Sequence, residues 1–165
     1  EVRKFQNLGA DKILINSLLK TNQKLTKKII STFGNQFVVI GLDLKKVGTK
    51  YHCYYERGSK KIKISFKNWL KKINLISPGE VLLQCINRDG TFLGYDLKIT
   101  KEIKKNLSCP ILVCGGAGKW AHFVEAFKKC DVDAVCTNNI FHLTYQSILN
   151  AKKYCLKNSI EIRLE

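Results

Sequence analysis

The sequence predicts an α/β fold in which short strands alternate with helices, and three observations carry that prediction. Five brief apolar runs, at 12–16, 37–43, 81–86, 111–114 and 133–139, are rich in Val, Ile and Leu and lack strict alternation. Parallel strands covered on both faces have this character. Apolar residues at helical spacing lie between the runs. Each run also ends in polar residues or glycine, groups that a buried strand does not favour. Strands alternating with helices imply a parallel sheet with right-handed crossovers. A doubly wound sheet and a barrel both satisfy the pattern.

Taken in order, KILIN (12–16) ends at Asn16-Ser17, and Leu25, Ile29 and Phe33 then form a helical stripe closed by Gly34. FVVIGLD (37–43) ends at Asp43. The segment Tyr51–Ile64, with Arg57-Gly58 at its middle, reads as a β-hairpin inserted after this second strand. Phe66, Trp69, Leu70 and Ile73 mark the next helix. VLLQCI (81–86) then runs into Asn87-Arg88-Asp89-Gly90. A shorter helix over Thr100–Leu107 stops before Pro110. ILVC (111–114) leads into Gly115-Gly116-Ala117-Gly118, followed by a stripe of Trp120, Phe123, Val124 and Phe127. DAVCTNN (133–139) closes on Asn138-Asn139, and a last helix over Tyr145–Leu156 has Ile148, Leu149 and Cys155 as its apolar side. All these stripes read as core-facing surfaces.

The 165 residues suffice for one domain, 1–165, with its own core. No apolar run approaches the ~20 residues of a membrane span, so no membrane partner is expected. The opening EVRKFQNLGADK has no signal-peptide pattern. The seven cysteines are odd in number and form no CxxC, which suits free thiols in a reducing cytoplasm. The three histidines do not combine with them at zinc spacing, so neither metal nor cofactor is expected. A net charge of +16 raises nucleic acid as a partner. The charge is mostly Lys on polar helix faces, without zinc-finger spacing or an aromatic RNA-binding motif. Solvated faces are the better reading, and no nucleic-acid partner is expected.

Ligands of parallel α/β folds sit at the carboxyl ends of the strands. Five consecutive polar strand ends therefore suggest a ring around one site. GGAGK (115–119) lies between a strand and a helix, where glycines admit an anion and the helix N-terminus supplies N–H groups. It is neither a Walker loop nor a dinucleotide fingerprint. A tight turn explains it equally well until Asn138-Asn139, at the next strand end, is added. Two adjacent strand-to-helix loops then favour phosphate.

GADKILIN, FGNQFVVIGLDLKK, GEVLLQCINRDGTFLGYD, ILVCGGAGKWAHFVEAF, NIFHL and IRLE, in this order, resemble the cyclase subunit of imidazole glycerol phosphate synthase, a family of histidine biosynthesis. The resemblance implies a (β/α)8 barrel of two similar half-barrels, which takes roughly 250 residues. The chain then corresponds to an incomplete barrel, about its last five βα units, with the first three missing. The absence of any Met agrees with a piece of a longer or processed chain. The missing units would carry one catalytic aspartate.

By resemblance, the family's reaction is an ammonia-dependent cyclase/lyase step on a ribulosyl-aminoimidazole carboxamide nucleotide bearing two phosphates. Its products are imidazole glycerol phosphate and aminoimidazole carboxamide ribotide. Asp43 matches a catalytic acid/base, and Asp89 a further aspartate at the substrate. Gly90, Gly115 and Gly116, with Cys114 before them, match one phosphate site, and Asn139 another phosphate contact. Asn16 and Ser17 match positions near substrate and the second phosphate. Ammonia would come from a glutaminase subunit at the N-terminal barrel face, where Lys12 and Glu80 match a gating ring and Asp11 faces the partner. Four positions depart from the family: Gln84, Asn87, Cys114 and Asn139. They leave open a paralogue that amidates surface-polysaccharide sugars, and a non-catalytic partial barrel that needs a partner.

Overall fold

The computed structural model describes residues 1–138, 140–141 and 147–164. Helix α1 (Val2–Asn7) precedes strand β1 (Ile13–Ile15), and α2 (Ser17–Thr21) and α3 (Gln23–Phe33) follow. Strand β2 (Val38–Val47) runs on into β3 (Lys50–Tyr55) and the short β4 (Lys60–Lys61). Helix α4 (Phe66–Ile76), β5 (Glu80–Cys85), α5 (Leu97–Asn106), β6 (Ile111–Cys114), α6 (Trp120–Cys130), β7 (Ala134–Cys136) and α7 (Ile148–Lys157) complete the order.

Five parallel strands lie side by side as β1-β2-β5-β6-β7. Among the described residues β1 pairs with β2 alone and β7 with β6 alone, so the sheet stays open at both edges. Strand, crossover helix and parallel strand repeat along it, the architecture of a partial (β/α)8 barrel. The inserted hairpin is larger than the sequence suggests. It begins within β2, whose residues Asp43–Val47 pair antiparallel with β3 after β1 has ended. Arg57-Gly58 does form its second turn, with Glu56, Arg57 and Gly58 all at positive φ.

One face of the sheet is covered by helices and the other is concave. Val38, Ile40, Leu42 and Leu44 of β2, with Val81, Leu83, Ile111 and Val113, are buried beneath the helices. The alternate residues, Leu82, Gln84, Leu112 and Cys114, are half-buried on the concave face, and Leu14 is 57% exposed there. The alternation hidden in the sequence is thus visible in burial, because both faces carry apolar residues but only one is fully covered.

The helical stripes need three adjustments. Helix α5 starts at Leu97, three residues earlier than expected, because Asp96 Oδ1 caps it through the Ile99 N–H. Leu25 is exposed, and Thr26 takes its place in the core beside Ile29. Ile148 and Leu149 are exposed, whereas Ala151 and Cys155 face inward. The expected start of the last helix, Tyr145, lies outside the described residues. No described helix is long and apolar enough to cross a membrane. All seven cysteines are free thiols.

Candidate functional site

Strand register assembles the site. Asp43 of β2 lies opposite Gln84 of β5, Gln84 opposite Cys114 of β6, and Cys114 opposite Cys136 of β7. Partners in a parallel ladder point to the same face, so these four side chains form one layer at the carboxyl end of the concave face. Asn16 joins from the next strand. It precedes α2 without capping it through its side chain, which instead lies against Gly41. A Cβ at Gly41 would come within 3.1 Å of Asn16 Nδ2. A glycine in mid-strand therefore makes room for the amide that hydrogen-bonds the Asp43 carboxylate.

Burial raises the Asp43 pKa above its ordinary value, and the Asn16 hydrogen bond offsets only part of the rise. A carboxyl so placed retains its proton to higher pH, a useful property in a group that must exchange protons with a ligand. The thiols of the same layer behave oppositely to nucleophiles. Burial, then the Asp89 charge, raises the Cys114 pKa, and burial pushes Cys136 up to about 11. Both stay protonated at neutral pH.

Beyond β6 the chain turns through Gly115 and Gly116, both at positive φ. A Cβ at Gly116 would stand 2.4 Å from the Gly94 carbonyl oxygen, so no other residue fits without moving backbone. The Gly94 N–H donates to the Gly116 carbonyl at 2.7 Å, joining the loop after β5 to the loop after β6. Between these loops and the end of β7 lies a pocket of about 160 Å³. Asp89, Gly90, Cys114, Gly115, Gly116 and Asn138 contribute to its wall. Asn139 lies outside the described residues.

His122 supports the glycine loop from α6. Its Nδ1 accepts the Gly118 N–H at 3.1 Å, and its ring packs under Gly94. Burial, then the neighbouring Lys119 charge, lowers its pKa, which keeps Nδ1 free to accept. The sequence sets His122 aside as a zinc ligand and gives it no other role. The signal for this supporting role was its place four residues after Gly118, on the first turn of the helix. His142 lies outside the described residues. Among the described residues no group of three His, Cys, Asp or Glu could hold a metal.

The remaining candidates are spread over the two ends of the strands. Ser17 sits near the mouth, but its hydroxyl accepts the Glu56 N–H at 3.0 Å and so ties α2 to the hairpin. Lys12 and Glu80 lie at the amino ends of β1 and β5, where they form an ion pair. Asp11 is exposed beside them. Asn16, Asp43, Asp89, Gly90, Cys114, Gly115 and Gly116 are therefore gathered at the carboxyl end, and Asp11, Lys12 and Glu80 at the opposite face.

A family model of histidine biosynthesis proteins matches residues 1–146, nearly the whole chain. The chain belongs to the histidine biosynthesis protein family. Similar family members are imidazole glycerol phosphate synthase subunit HisF proteins. The one from Saccharolobus solfataricus is 37% identical over 94% of this chain and 62% of its own length. The one from a Hydrogenobaculum species is 36% identical over 99% and 66%. The one from Clostridium botulinum is 37% identical over 99% and 66%. This histidine biosynthesis family chain thus spans a little under two thirds of the length of these relatives.

Proposed function

We propose that this chain supplies the larger part of an ammonia-dependent cyclase/lyase barrel that makes imidazole glycerol phosphate and aminoimidazole carboxamide ribotide from a bis-phosphate nucleotide. The observation that carries the reading is the glycine-walled pocket, which shares its strand-end layer, through Cys114 and Gln84, with a carboxyl of raised pKa. The pocket holds one substrate phosphate, its wall formed by Gly90, Gly115 and Gly116. Anchoring a long substrate by its ends fixes the reacting carbons between them.

In this reading Asp43 exchanges protons as ammonia attacks the ribulosyl carbonyl, the adduct is cleaved and the imidazole ring closes. Asn16 orients the Asp43 carboxylate, and Asp89 contacts substrate. Ammonia enters from a glutaminase subunit docked at the amino ends, past the Lys12–Glu80 pair, while Asp11 faces the partner. A path through the barrel keeps ammonia unprotonated. The relatives' name is that of a synthase subunit, in keeping with a multi-subunit enzyme.

The test is a complete barrel, formed by joining the first three βα units of a relative to this chain and supplied with ammonium. Asp43→Asn is expected to lower turnover by about 10²- to 10⁴-fold, the usual weight of a general acid or base, while binding of the bis-phosphate persists. Normal turnover in that variant removes Asp43 from the chemistry.

One observation favours a second reading, a partial barrel inactive without a partner. Apolar clefts of about 420 and 370 Å³ flank β1 and β7, and Leu14 is exposed on the concave face. Turnover by the chain by itself would rule this out.

A further inference from the structure

Main-chain pairing between β2 and β5 reaches Leu44 and Cys85, and the Ile86 N–H donates to the Leu44 carbonyl at 2.8 Å. There β5 leaves the sheet. The N–H groups of Arg88 and Asp89 turn back onto the Cys85 carbonyl at 2.9 and 3.1 Å. The next peptide groups of β2 would lack a partner, but the Asn87 side chain takes that place. Its Oδ1 accepts the Lys46 N–H at 2.6 Å, and its Nδ2 donates to the Lys46 carbonyl at 3.2 Å. A side-chain amide thus adds one rung to a ladder that the main chain has already left.

The far end of the same loop is tied to the same hairpin. The Tyr51 hydroxyl donates to Asp96 Oδ2 at 2.7 Å, while Asp96 Oδ1 caps α5. Lys46 and Tyr51 are register partners of β2 and β3. One rung of the hairpin therefore holds residues 86–96 at both ends. Those residues include Asp89, Gly90 and Phe92 of the pocket wall, and Gly94, which bonds the glycine loop.

We propose that Asn87 and Tyr51 are positioning residues: through them the Lys46–Tyr51 rung fixes the loop that walls the anion pocket, and the hairpin sets the pocket's affinity. The claim about affinity rests on the phosphate reading above. Asn87 is one of the departures from the family pattern, and its chemistry explains why an amide stands there. A carboxylate could accept the Lys46 N–H but would face the Lys46 carbonyl with a second acceptor. A protonated carboxyl can again do both.

That contrast supplies the test. Sulfate remains a dianion from pH 4 to 7 and serves as the probe, titrated calorimetrically into the unaltered chain and its variants. Hydrogen exchange over residues 86–96 is measured in parallel. Asn87→Ala and Tyr51→Phe should each weaken sulfate about 3- to 10-fold and speed exchange in the loop, with α3 unaffected. Asn87→Asp should match Asn87→Ala at pH 7 and approach the unaltered chain at pH 4, where its acid form can donate to the Lys46 carbonyl. Unchanged loop exchange in both Asn87→Ala and Tyr51→Phe overturns the clamp. An equal deficit of Asn87→Asp at both pH values overturns the role of the amide donor. Failure of the unaltered chain to bind sulfate overturns the anion reading and the affinity claim with it, whereas the exchange result bears on the clamp by itself.

Discussion

At the carboxyl ends of β5 and β6 several contacts converge on the loops that follow them, whereas at their amino ends separate polar contacts tie neighbouring elements. The mouth joins Gly94 to Gly116 through main chain, Asn87 to Lys46 across two strands, and His122 to Gly118 beneath the turn. At the base, Asp133 accepts both the Ile111 N–H and the Lys104 ammonium, and Lys12 meets Glu80. The Gly79 N–H bonds the Val38 carbonyl at 3.1 Å. The base satisfies its polar groups in separate local contacts. The mouth instead draws the ends of three strands around one cavity, as a ligand site requires.

Glycine substitutions separate the two ends most strongly. Gly116→Ala places a methyl against the Gly94 carbonyl at positive φ, so it should destabilise by about 2–4 kcal/mol and also abolish anion binding. Gly79→Ala meets the Asn35 carbonyl oxygen at 2.4 Å and should cost about 1–3 kcal/mol while anion affinity is retained in the folded fraction. Chemical denaturation with sulfate titration measures both. If the two variants lose affinity equally, the division between mouth and base is wrong.

A smaller effect comes from pH. Because the folded-state pKa of Asp43 is raised, the folded chain binds this proton more tightly than the unfolded chain does. Its contribution therefore favours folding at low pH and declines as pH rises from the ordinary 3.8 through the raised folded value. Asp43→Asn should remove that slope, so the variant gains relative stability at pH 7 and none near pH 3. Paired thermal melts at the two pH values decide it, and a relative loss at pH 7 would mean that the Asn16 bond outweighs burial. The least effect is expected at the base. Lys12→Gln breaks a partly exposed ion pair, with side chains 41% and 20% accessible, and should change stability by no more than about 1 kcal/mol. A greater loss in a melt would show that the base, too, depends on a cooperative network.

The sequence displayed some of this directly and concealed the rest. ILVC matched β6 to the residue, because a short apolar run bounded by Pro110 and a glycine leaves no other register. The glycine loop was legible because Gly115 and Gly116 need positive φ, a local property. Asp43 was legible as a charge ending an apolar run. Its raised pKa was not, because that depends on burial and on Asn16, which lies 27 positions earlier. Gly41 looked like any strand residue until Asn16 was found against it. Leu25, Ile148 and Leu149 fitted helical stripes yet are exposed, since periodicity marks a face and only neighbouring elements cover it.

The sequence by itself determined the alternation of strands and helices, the inserted hairpin and the polar strand ends, because propensity, turn chemistry and apolar periodicity act over a few residues. Tertiary structure alone decided which of those ends meet. The layer of Asp43, Gln84, Cys114 and Cys136 depends on register between strands, and the Asn87–Lys46 rung on where β5 peels away from β2. Contacts between residues 22 to 41 positions apart arise from packing and burial, which no short stretch of sequence encodes.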